Sequence, residues 1–242
     1  MPRATIPTAQ RTYEFRPEGI RLSLMTMAHV NQAIRAAFNF QAAQIGTPAP
    51  TAGLVPLTIP PGLVFNFGAV RPIDGVSTPI HFLHIEPRRI VFNVAGPSSA
   101  IDIAFEQLLE VVSNFPSPDG SPVIDTPERV LDYSEITRPA VFRPEVIISA
   151  QLRDLIQPAL HGAHPQTSLA ISPSIRVTMF DPEAEYGGLP TAGMGIMFVY
   201  ELRAGSHLDD QIYLSAASLP TDTHLALRDQ VDALLQEQSH VV

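Results

Sequence analysis

The chain has 242 residues, with 15 Lys+Arg that are all arginine, 24 Asp+Glu, no cysteine and a net charge of −9. With 45% hydrophobic and 16% charged residues it is built to bury the core of one large or two small domains, and no apolar run approaches the ~20 residues of a membrane-spanning helix. The lack of cysteine excludes disulfides, thiolate metal sites and thiol catalysis, and the acidic balance disfavours nucleic acid as the main partner, because phosphate neutralisation needs clustered cations.

The charge is segregated along the chain. Residues 1–72 carry six Arg and two acids, whereas residues 73–242 carry nine Arg and 22 acids. Between Leu22 and Val70 the only formal charge is Arg35. Soluble surfaces carry about 25–35% charged residues, so part of this stretch is expected to be covered by another chain. The competing reading is a large buried core with an uncharged rim of Asn, Gln and Thr. An all-arginine cation set has a plain genomic explanation in high GC content; avoidance of lysine-directed tagging is the sharper alternative.

Residues 1–14 (MPRATIPTAQRTYE) have no apolar core for a leader and read as a basic arm, which leaves a cytoplasmic address as the expectation. A helix is expected over Val30–Ile45. Residues 46–62, largely TPAPTAGLVPLTIPPG, are too dense in proline for a helix and read as an extended, charge-free insertion. Strands follow at Leu63–Phe67, Ile80–Ile85 and Arg89–Val94. His81 and His84, three apart on a strand, project to opposite faces, one toward the core and one toward solvent. Pro97-Ser98-Ser99 then opens a helix whose apolar face is Phe105, Leu109 and Val112. Asp102, Glu106 and Glu110 form an acidic stripe on it, able to receive Arg-rich segments.

Residues 113–141, containing SNFPSPDGSP, read as a linker. Beyond it the order of elements repeats. Phe15-Arg16-Pro17-Glu18 recurs as Phe142-Arg143-Pro144-Glu145. A helix over Val146–Leu160 and strands at Ile175–Met179, Ile196–Tyr200 and Gln211–Ala216 follow. The last helix starts near Thr221 and Asp222, with Leu227, Val231 and Leu234 on its apolar face and Asp232 outward. The expected fold is therefore α+β: two tandem pseudo-repeated units, 15–112 and 142–242, each an antiparallel or mixed sheet with flanking helices.

Chemistry leaves few marks. Ser206-His207 with Asp209 and Asp210 sets triad residue types side by side, but neighbours rarely face one another in a relay. His161 and His164 lie near Asp181, Glu183 and Glu185, yet Gly162 and Pro165 spoil the helical spacing a metal site would use. The glycine-rich stretch 187–195 enters a strand, whereas phosphate cradles enter a helix. Arg88 and Arg89 can grip an anion, or be neutralised by Glu86. No catalytic residue, cofactor or metal is assigned. The leading expectation is a non-enzymatic assembly or interaction protein, binding copies of itself or other protein subunits and no membrane. Its contacts would be Arg3, Arg11 and Arg16 of the arm, Leu54 and Leu57 of the insertion, and Arg88 and Arg89. The alternative is a small-ligand binder or enzyme with its site in the groove between the two units.

Overall fold

The computed structural model describes residues 7–46, 62–72, 75–142, 144–147, 151–152, 154–156, 158, 174–179, 196–203 and 211–239. Within them, apolar alternation becomes strand and helix much as the pattern dictates. Two units divide the chain, the first built from Pro7–Ser134 with Leu219–Thr221 and the second from Glu135–Ser218 with the chain beyond Asp222.

The first unit runs β1 (Thr8–Glu14), α1 (Leu22–Met25), α2 (Ala28–Phe38), β2 (Ala42–Gly46), β3 (Gly62–Ala69), β4 (Pro79–Ile85), β5 (Arg89–Val94) and α3 (Ser98–Ser113). Residues 8–14, expected within a free arm, are a strand of the sheet, paired with β5 from Ala9 opposite Val94 to Glu14 opposite Arg89. Every second residue of β1 is buried. Helix α2 stops at Phe38 rather than continuing to Ile45. Asn39 takes the left-handed conformation (φ 52°, ψ 39°) that closes a helix. Ala42–Gly46 then finds an antiparallel partner in β3.

Helices α2 and α3 cover one face of this sheet. Leu63, Phe65, Leu83, Ile85 and Phe92 meet Ile34, Phe38, Ile101 and Leu108 in one cluster. Each such side chain contributes ~1.5–3 kcal/mol by leaving water. Met25, Val30, Ile34, Phe38, Leu63, Phe65 and Val70 belong to the same cluster. The described part of the charge-poor stretch is therefore sheltered largely by its own unit, not by a neighbour. Leu54 and Leu57 lie outside the described residues.

Residues 113–141, read as a linker, hold a strand: β6 (Arg129–Pro139). The boundary between the units falls inside it, after Ser134. The second unit adds a 3-10 turn at Pro144–Ile147, β7 (Ile175–Met179), β8 (Ile196–Leu202), β9 (Ile212–Ala217) and α4 (Thr221–Ser239). Residues 151–152 and 154–156, within the expected helix, are helical. Strands β7, β8 and β9 pair antiparallel in succession. Phe142, Tyr200, Tyr213 and Leu235 form the core.

Helix α4 is rotated from its expected setting. Leu234 is 60% exposed, whereas Asp232, expected outward, is 4% exposed. Its inward face is His224, Arg228, Asp232 and Leu235. Among the described residues the fold is thus α+β, with nine strands in one antiparallel sheet ordered β2-β3-β4-β5-β1-β6-β9-β8-β7.

Candidate functional site

The charges separated in the sequence meet inside the first unit. Arg11 is nearly buried; its Nε donates to Asp132 at 2.7 Å, and an Nη donates to Asp102. Arg16 donates twice to Asp125 (2.9 and 3.2 Å), Arg21 to Asp119 (3.0 Å), and Arg71 to Glu110 (2.7 Å). The exposed pairs contribute little, because solvent and salt screen them. The Arg11–Asp132 pair differs, because removing one partner strands the other in a poorly solvated place at a cost of about 3–5 kcal/mol. Arg11 is thus engaged within its own unit, as are both ends of the acidic stripe. Arg88 is exposed, with its Nε 3.5 Å from Phe15 O, and Arg89 donates to Glu86 at 2.9 Å, the neutralisation expected for it. Arg3 lies outside the described residues.

On the sheet face opposite the helices, His84, Glu86 and Arg89 form a compact group. His84 Nδ1 lies 3.2 Å from Glu86 Oε1, and Arg89 Nη2 lies 2.7 Å from Glu86 Oε2. His84 and Glu86 are both buried, while His81 is exposed. Burial lowers the His84 pKa, with Glu86 opposing and Arg89 reinforcing the shift. The imidazole is therefore neutral near pH 7, with Glu86 orienting it. Gly62 makes room for the ring: a Cβ there would lie 2.8 Å from His84 Nε2 and collide with Ile85 O.

A second feature is an open cleft of about 690 Å³ between α3 and residues 122–128. Phe105 and Leu109 form one wall, and Pro122, Ile124 and Pro127 the other, with Arg16, Asp125, Thr126 and Glu128 supplying its polar groups. Backbone bonds fix the second wall: Arg21 N–H to Val123 O (3.0 Å), Asp125 N–H to Gly19 O (2.9 Å) and Glu128 N–H to Glu14 O (2.8 Å). Phe105 is steadied from behind by Tyr13, whose ring stacks on it at 4.0 Å and 12°.

The second unit holds a buried charged network. Asp232 accepts from the Tyr200 hydroxyl (2.6 Å) and from Arg138 Nη2 (2.6 Å) and Nε (3.1 Å). Arg138 also donates to Asp229 at 2.5 Å. Arg228, fully buried, donates to the carbonyls of Ile136 (2.7 Å), Arg138 (3.2 Å) and Tyr213 (3.2 Å) and to Ser215 Oγ (3.1 Å). Its guanidinium carbon sits 5.1 Å from the Tyr200 ring centre. Burial, then Asp232, raises the Tyr200 pKa. Apart from Arg228 Nε, which lies 3.8 Å from Asp232 without a hydrogen bond, donors and acceptors satisfy one another here, which marks a structural network rather than a reactive one.

Ser98 and Thr221, expected as caps of their own helices, satisfy each other instead. Ser98 N–H donates to Thr221 Oγ1 (2.9 Å) and Thr221 N–H to Ser98 Oγ (3.0 Å). Each hydroxyl thereby meets the first free amide of the other helix.

His161, His164, Asp181, Glu183, Glu185, the 187–195 stretch and Ser206–Asp210 lie outside the described residues. Among the described residues no three side chains are grouped to hold a metal ion, and no helix is long and apolar enough to cross a membrane. No family model matches the chain, and no curated protein matches it.

Proposed function

We propose that the chain is a non-enzymatic assembly protein that associates with further copies of itself through the face of the first unit's sheet opposite its helices. The observation that carries this reading is the composition of that face. Gln10, Thr12, Asn66, Phe82, Val91 and Asn93 form an uncharged, half-buried patch on it across four strands, while the charged residues Glu14, Glu86 and Arg89 are gathered at one end of the face. Alternation along each strand puts them opposite the helix-covered residues. Arg88, in the turn between β4 and β5, and Arg89, at the start of β5, stand at its edge as polar contacts. With Arg11 and Arg16 paired to acids of the same unit, the uncharged patch rather than the arm supplies the main contact area, and the charge-free insertion with Leu54 and Leu57 contributes further contacts.

Internal duplication supports the assembly reading, since repeated units are a common route to self-complementary surfaces. The strand orders β3-β4-β5-β1 and β7-β8-β9-β6 run alike through the sheet. Phe15 and Phe142 of the repeated tetrapeptide are both buried. In each unit an Arg on the leading strand pairs with an Asp on the closing helix, Arg11 with Asp102 and Arg138 with Asp229.

Light scattering on the purified chain tests the assignment. An oligomer is expected, dissociated by the pair Thr12→Glu and Asn93→Glu, and weakened by Leu54→Asp with Leu57→Asp. A wild-type chain that stays monomeric at high concentration, or an oligomer indifferent to both pairs, refutes it. Truncation should stop at residue 6, because Thr8–Glu14 is an interior strand of the sheet. The cleft beside α3 favours a second reading, a small-ligand binder, with its site inside the first unit.

A further inference from the structure

We propose that the cleft between α3 and residues 122–128 is a binding site for a small planar aromatic molecule carrying a positive charge, of the aromatic amine class. The inference stands apart from self-association, because it concerns the helix-covered side of the first unit.

The cleft volume, about 690 Å³, falls in the ordinary range for small-molecule sites, ~300–1,000 Å³. Its walls are prepared in advance. Tyr13 holds the Phe105 ring in a parallel stack at 4.0 Å, so a planar ligand entering the cleft meets an aromatic surface that needs no rearrangement to receive it. Aromatic rings accept such a third layer in offset geometry. Leu109 extends that wall, and Ile124 faces it from a segment anchored by its bridge to Ile20. The proline rings of Pro122 and Pro127 add stiff apolar surface that loses little entropy on binding.

Charge decides the ligand's sign. Among the described residues Arg16 is the one cation lining the cleft, and its Nε and Nη2 are both engaged by Asp125. Arg16 and Asp125 therefore cancel. Glu128 remains, its backbone fixed by Glu14 and its carboxylate acting on Arg16 only as the weakest of its acidic neighbours, in no close ion pair among the described residues. An ammonium group reaching Glu128 gains a partner, whereas a carboxylate there meets repulsion from Glu128 and an Arg16 already taken.

Two isosteric probes distinguish the possibilities on the full chain: tryptamine, a cation, and indole-3-propionate, an anion. Titration followed by calorimetry and by NMR is expected to show one saturable tryptamine site with a Kd below about 1 mM, and at least roughly fivefold weaker binding of indole-3-propionate. Glu128→Gln, an exposed change that spares the fold, should abolish that preference. Phe105→Ala should weaken both probes by about tenfold. Equal binding of the two probes, no saturation by tryptamine, or a preference that survives Glu128→Gln overturns the proposal. Should Phe105→Ala unfold, the Glu128→Gln result decides alone.

Discussion

Asp232→Asn isolates the charge that holds α4 to its sheet. The carboxylate is 4% exposed and receives the Tyr200 hydroxyl at 2.6 Å and two bonds from Arg138, with Arg228 Nε 3.8 Å away. Asparagine keeps the shape and one acceptor oxygen but removes the negative charge facing two guanidinium groups. Breaking a buried ion pair by deleting one partner costs about 3–5 kcal/mol. Arg138 retains the exposed Asp229 at 2.5 Å, and Arg228 retains three carbonyls, so the lower end of the range, ~3 kcal/mol, is expected. For a chain of this size each kcal/mol moves Tm by about 2–4 °C, giving a fall of roughly 6–12 °C in the second unit's transition. Near-ultraviolet circular dichroism reports on Tyr200 and Tyr213, and hydrogen exchange along α4 localises the change. A double-mutant cycle with Tyr200→Phe should show coupling, because the two groups share one hydrogen bond. A Tm within ~2 °C of wild type, or additive single changes, would show that packing alone retains the helix.

Two further outcomes follow from buried groups. His224 is fully buried, and burial followed by the Arg228 charge holds its pKa down at about 4 from a normal 6.5. A histidine depressed in the folded state adds stability above its unfolded pKa, and that stability drains away as pH falls from about 6.5 to about 4. The loss should reach on the order of 3 kcal/mol; a urea midpoint series across this window should show it, and His224→Phe should flatten the slope. An unchanged slope in that variant would rule out His224 as its source. Gly62→Ala forces a methyl against Ile85 O and His84 Nε2. Such overpacking costs about 1–3 kcal/mol, read as a lower Tm with faster exchange where β3 meets β4. Wild-type exchange there would show that the strand end yields freely.

Much of the secondary structure could be read before any coordinates, and the reasons are local. Arg89–Val94 and Ile175–Met179 are dense in β-branched residues, and both are strands over those bounds. Strand β2 was hidden because Ala42-Ala43-Gln44-Ile45 has good helix formers, and only its distant partner β3 selects the extended form. Strand β6 was hidden by charge. Asp132 and Arg138 look like surface residues, yet each faces a partner far away in sequence, Arg11 and Asp232. The same substitution of charge for hydrophobicity misplaced α4, whose inward face includes Arg228 and Asp232 four residues apart. That spacing, together with Tyr200 and Tyr213 on neighbouring strands, was the one available hint. The cleft had none, because Arg16, Phe105 and Glu128 come from three separated segments.

The central position of β1 has a consequence for synthesis. Its hydrogen-bonding neighbours are β5 and β6, both made long after it. At ribosomal rates of ~5–20 residues per second, the nascent Thr8–Glu14 segment waits roughly 6–25 s before Pro139 completes the second of these strands. Until that point Ala9 and Tyr13, although β5 emerges earlier, are on a ribosome-tethered chain without the strand that closes their other side. The protein's yield in a host cell is thus tied to whatever shields emerging chains there, and slowing translation lengthens the exposure.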